Sequence, residues 1–301
     1  MNNRKRLVLE HAKQLFLEQG VTHTSIQDIV KKANISKGTF YNYFASKNDC
    51  LKAILELGEE EISLRRNELL HEQNASDKTI FTKQIAVRLK VNSDQNLLPI
   101  IEAIFHSGED DLSTFAKKFH LQELHWMATR LIDIYGKQAQ PFAADCAILL
   151  VGMMQHALHF RKSSMTKKVG VTELISYIMR RIDNIMPTLM AKEDTLFGEE
   201  LFQLLHVEDA SETVVKEQLL EHLEVFQHQL IREENEVSLE FITFFIEELQ
   251  SETPRQHLIQ TMSSAFRKSF IGTPHEYTTM KLASEIQIYL QFLQLSTADA
   301  K

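Results

Sequence analysis

The chain has 301 residues, 44% of them hydrophobic, with only nine glycines and five prolines, a composition that fits an all-α protein with one large core or two smaller ones. Its net charge of −8 argues against a general polyanion binder, yet residues 1–52 carry nine Lys or Arg against four Asp or Glu, leaving −13 on the rest. The three-residue apolar run near the start excludes a signal peptide, and CAILLVGMM (146–154) is too short to span a bilayer, so a soluble cytoplasmic protein with no membrane partner is expected. Cys50 and Cys146 lie in apolar stretches and read as buried thiols of a reducing compartment.

In the first predicted helix, residues 4–19, Val8, Ala12, Leu15 and Phe16 share one face, and Gly20 follows as its C-cap. Thr24 reads as the next N-cap, with Gln27 three residues on completing a capping box. Ile26, Ile29, Val30 and Ala33 then form a two-turn apolar stripe. Asn34 tolerates the left-handed backbone that ends the helix, Ile35 plugs the turn, and Ser36 caps the following helix.

That helix lies in ISKGTFYNYFASKNDC (35–50). Phe40 and Phe44, four apart, face inward, which leaves Lys37, Thr39, Tyr41, Asn42 and Tyr43 on the flanks and outer face, with Gly38 removing bulk near the start. Two short helices joined by a tight turn, the second polar and aromatic outside, make a helix-turn-helix whose second helix would enter a major groove. Tyr and Thr hydroxyls can reach phosphates, and Asn can read adenine. An ordinary helical corner with idle tyrosines is the alternative that geometry leaves open.

Residues 20–51, GVTHTSIQDIVKKANISKGTFYNYFASKNDCL, resemble the DNA-binding segment of the TetR family of regulators. Gly20, Thr24, Ser25, Ile29, Ala33, Ser36, Gly38, Tyr41, Tyr43, Phe44 and Lys47 match its pattern; Val30, Asn34 and Cys50 depart from it at sterically tolerable positions. The resemblance covers about a fifth of the chain. It implies phosphate contacts from Thr24, Ser25 and Gln27, base and backbone contacts from Lys37, Gly38, Thr39, Tyr41, Asn42 and Tyr43, and a phosphate held by Lys47 where the next helix begins. It also implies three regions: a DNA-binding head over 1–47, a helical regulatory and dimerisation region over 48–192, and an additional helical region over 193–301.

Beyond the head, a long helix is predicted over 47–72, then periodic segments near 78–92, 97–106, 112–135, 141–162 and 170–190. By position, the last two resemble the helices that pair with their copies in a family dimer, with Leu150, Met154, Ile178 and Ile182 at the interface. Burial of both within one subunit is the alternative. The family's small-molecule pocket would draw on Phe81, Phe105, Phe119, Trp126, Met127, Tyr135, Met153 and Met154, an adaptable lining for a small hydrophobic effector. His156 and His159 stand three apart, and Glu68 with His71 makes a single ExxH, but neither forms a complete ligand set. No metal and no cofactor is expected.

Residues 195–301 exceed the usual family length and read as helices near 211–232, 235–251, 255–270 and 275–295. Phe197, Phe202, Phe226, Phe241, Phe244, Phe245, Phe266, Phe270, Tyr289 and Phe292 require burial on the regulatory region or on each other. The expected function is a homodimeric repressor of a palindromic, double-stranded operator, released by an apolar inducer. A DNA-binding architectural or division-control protein with the same head is the alternative. No GxGxxG, GxSxG, P-loop or HExxH motif supports an enzyme.

Overall fold

Local chemistry sets the helix ends of the head. Gly20 takes φ +85° and its N–H donates to the Phe16 carbonyl, ending α1 (Asn3–Gln19). Asn34, at φ 52°, closes α2 (Ile26–Lys32), and the Ser36 side chain accepts from the Thr39 N–H to start α3 (Lys37–Tyr43). Ser46 does the same for α4 (Lys47–Leu70). The N-cap of α2 is Ser25, one residue later than expected. Its hydroxyl accepts from the Asp28 N–H while the Asp28 carboxylate accepts from the Ser25 N–H, so Asp28, not Gln27, completes the box.

The computed structural model describes residues 3–71, 73–105, 107–163, 169–198, 212–232, 236–251 and 253–298. Among them are thirteen α-helices and no strand. Two compact units emerge, residues 1–208 and residues 209–301.

In the first unit, α5 (Lys78–Asp94), α6 (Leu98–Phe105), α7 (Asp110–Tyr135), α8 (Gln140–Ser163) and α9 (Val171–Lys192) follow the head helices. Two cores form. One joins α1 to α4 with Leu97, Ile100 and Ile104 of the α6 region and Leu112 of α7; the other packs α5, α7, α8 and α9 together. Gly58 sits where α4 meets the α6 region: a Cβ there would lie 2.6 Å from Leu97 Cδ1, so any larger residue would have to displace that methyl. Among the described residues, Lys137–Arg161 is long and apolar enough to cross a membrane by length and composition, and half of its most apolar window is buried inside the protein.

Leu150, Met154, Ile178 and Ile182 correct the expectation placed on them. All four are buried in the protomer's own core between α8 and α9, so they are closed to a partner. Six of the eight residues expected to line a pocket belong to that same core or pack against it. Phe81, Met127 and Met154 fill the core, Phe81 packing on Trp126 at 5.7 Å, and Met153 packs at its edge. Tyr135 donates its hydroxyl to Asp183 at 2.6 Å, Phe105 is 64% exposed on α6, and Phe119 meets Phe115 edge-on at 4.6 Å.

The second unit comprises α10 (Glu212–Arg232), α11 (Glu236–Gln250), α12 (Gln256–Ser269) and α13 (Glu276–Ala298). Each packs on the next, and α13 returns to α10, as in a four-helix bundle. Phe226, Phe245, Phe266, Phe270 and Tyr289 bury among themselves, with Phe241 and Phe244 at the edge of that core, whereas Phe197, in the first unit, is exposed against the expectation. Phe202 and the Phe292 side chain lie outside the described residues. The buried Glu248 carboxylate accepts from the Arg255 N–H at 2.8 Å and caps the start of α12.

Candidate nucleic-acid interface

Helix α3 is seven residues long, too short to hold itself together. Phe40 and Phe44 anchor it: both are buried, their rings 5.4 Å apart, and they pack into the core with Ile29, Ala33, Leu51 and Ile54. The Tyr41 ring meets Phe40 edge-on at 5.7 Å and is 53% exposed, so it stands on a buried aromatic base. Lys37, Gly38 and Asn42 are exposed beside it; Thr39 and Tyr43 are half-buried. The Thr39 hydroxyl shares a 2.9 Å hydrogen bond with Ser36.

Gly38 has no internal reason to be glycine. An added Cβ would meet only Ser36 Oγ, at 3.7 Å, and the backbone is ordinary helix. Glycine inside a helix costs roughly 1 kcal/mol relative to alanine. The cost is borne at the solvent face of α3, where an approaching surface would need the room.

Around this face, Ser25 and Gln27 are exposed at the start of α2. Hydrogen bonds from the Ser25 hydroxyl and backbone hold the Asp28 carboxyl below its ordinary pKa. Thr24 is 1% exposed and donates its hydroxyl to the Gly20 carbonyl at 2.8 Å, so its side chain is spent on the loop and closed to a phosphate. Lys47, half-buried at the start of α4, donates from Nζ to the Val21 carbonyl at 2.8 Å and thus also fixes that loop. Lys5 brings a further ammonium to the end of α3, 5.3 Å from the Phe44 ring centre.

Helix α4, which follows α3, is latched to the α7 region twice. At the head end, Asn48 hydrogen-bonds Glu109 and Lys52 pairs with Asp111 at 2.6 Å, both in exposed settings. Exposed pairs contribute about 0–1 kcal/mol. At the far end, Arg66 donates two parallel hydrogen bonds to Glu123, and Arg88 bridges Glu123 to Glu59. Burial pushes the Glu123 carboxyl up, but the Arg66 and Arg88 charges outweigh it and hold it at about 2. Gln84 links Arg66 to Arg130, whose guanidinium also reaches Asp133 and the Ala75 carbonyl. Sequence reading missed this network. Its partners lie 57 residues apart along the chain, and lone charged residues on periodic helices read as solvated faces.

Residues 8–54 match the family described as bacterial regulatory proteins, tetR family. The chain is 29% identical over 200 residues to YuxN of Bacillus subtilis (strain 168), described as an uncharacterized HTH-type transcriptional regulator, a match spanning 65% of this chain and 68% of that one. It is 24% identical over 273 residues to YerO of the same strain, described likewise, across 88% and 90% of the two chains. That match is long enough to run well into residues 209–301. Over 108 residues it is 32% identical to the HTH-type transcriptional regulator AcrR of Shigella flexneri, covering 34% and 48%. No solved structure matches the chain.

Proposed function

We propose that the chain is a DNA-binding transcription regulator of the TetR family, a cytoplasmic, homodimeric repressor that grips a palindromic operator and lets go when a small molecule binds. The observation that carries the reading is α3: a helix anchored by two buried rings, with Tyr41, Asn42 and an otherwise unneeded Gly38 outermost. Tyr41 and Asn42 would meet base edges, Lys37, Ser25 and Gln27 would hold phosphates, and Tyr43 and Lys47 would contact the backbone from the flank.

The dimer would use the outer faces of α8 and α9. Leu149, Gly152, His156 and Phe160 recur along one exposed side of α8, and Phe160 is 70% exposed. A Cβ on Gly152 would meet nothing within 4 Å, which leaves room for a second helix to come close. On α9, Tyr177 is exposed, with Glu173 four residues before it and Arg181 four after. In an antiparallel crossing centred on Tyr177, Glu173 would face the partner subunit's Arg181.

Release follows from the unequal latches. Breaking a buried pair such as Arg66–Glu123 costs about 3–5 kcal/mol, several times an exposed pair. The far end of α4 therefore has the firmer charge tie; a swing of its head end, together with Leu97, Ile100, Ile104 and Leu112 packed on it, would change the spacing of two recognition helices. Footprinting across the region upstream of the chain's own gene should show a protected palindrome. Uniform protection, or none, would overturn the proposed operator binding.

A further inference from the structure

With Phe81, Met127 and Met154 packed into the core, an open cleft of about 430 Å³ lies instead along the first half of α7. Thr114, Phe115, Lys117, Lys118 and Leu121 line it, with Lys52 from α4 and Asp111 completing the wall. The volume falls within the range of small-molecule sites. Its lining sets three ammonium groups against one carboxylate, over an apolar floor of Phe115 and Leu121. Lys52 Nζ stands 5.8 Å from the Phe115 ring centre, so charge and apolar surface adjoin.

We propose that this cleft binds an amphiphilic monoanion, a single carboxylate on an alkyl body. The carboxylate would sit among Lys52, Lys117 and Lys118, with the chain lying on Phe115 and Leu121. A polyanion such as a nucleotide fits less well, because Glu109, Asp110 and Asp111 crowd the start of α7 and would repel added negative charge. An alkylammonium would meet the lysines.

The position gives the site a consequence, which rests on the reading of the chain as a ligand-released repressor. A carboxylate at Lys52 competes with Asp111, and the Lys52–Asp111 pair is one of the two exposed ties between the head end of α4 and α7. Occupancy loosens that end and leaves the buried Arg66–Glu123 tie intact.

The test titrates sodium dodecanoate, carboxyl-labelled and below its micellar concentration, into the full chain and follows the carboxyl signal by NMR. Wild type should show one saturable site. A Lys117→Gln/Lys118→Gln double variant should bind at least about tenfold more weakly, and neutral dodecanol should compete at least about tenfold less well than dodecanoate. Both lysines are exposed, so that variant keeps the fold; Phe115→Ala should weaken binding in parallel. Absence of saturable binding, or equal binding by the lysine variant, overturns the site. The same samples are then assayed on DNA from the chain's own upstream region. Saturable, lysine-dependent binding that leaves DNA affinity unchanged supports the site and overturns the ligand-released reading instead.

Discussion

Arg66 and Glu123 meet through two parallel hydrogen bonds of 2.8 and 2.7 Å inside the protein, and the Arg66 guanidinium lies 3.5 Å from the Trp126 ring centre. A planar guanidinium can satisfy a carboxylate and an aromatic face at once; a lysine could not.

Removing one partner should therefore be costly. Glu123→Gln is expected to destabilise the protein by about 3 kcal/mol or more, since Arg66 and Arg88 would stay buried with less compensation. Arg66→Met combined with Glu123→Leu should recover part of the loss. The Glu123 carboxyl is held at about 2, below its unfolded value, so its contribution is full above about pH 4.5 and fades as pH falls towards 2. Denaturant melts of wild type and Glu123→Gln should accordingly converge as the pH is lowered through that window. A constant gap would assign the stability to packing rather than charge.

Gly38 separates folding from recognition. Gly38→Ala meets no clash and removes a glycine from the first turn of α3, so the melting temperature should stay level or rise, with a gain of up to about 1 kcal/mol. Operator affinity should nonetheless drop, because the new methyl stands where the duplex would approach. A variant that is both more stable and fully competent on DNA would move the contact face away from Gly38.

Much of this was legible beforehand. Every described helix falls within a few residues of its apolar period, and Asn34 and Ser36 mark their turn as their chemistry requires. Thr24 and Ser25 are both good caps by residue type; the Thr24 hydroxyl is bonded to the Gly20 carbonyl, which leaves the cap of α2 to Ser25. The residues expected at the dimer interface are a different case. An apolar stripe such as Leu150–Met154 says that a face is buried, but not whether a neighbouring helix or a second subunit covers it. The exposed Leu149 and Phe160 lie along another side of the same helix.

That distinction can be measured. Phe160→Glu and Tyr177→Glu place charges on exposed positions and should yield folded monomers, visible by sedimentation at unchanged helicity. Leu150→Glu buries an uncompensated charge in the protomer core and should unfold the first unit instead. Intact dimers in both surface variants would place the interface off α8 and α9.

The most direct test of the account compares Tyr41→Ala with wild type on operator and on random DNA across a salt series. Tyr41 stands exposed on α3 and carries no charge, so its loss should weaken the operator complex by about 1–3 kcal/mol. Random DNA should be little affected, and the salt slope unchanged. Equal losses on both DNAs, or none on either, would contradict sequence reading by the outer face of α3.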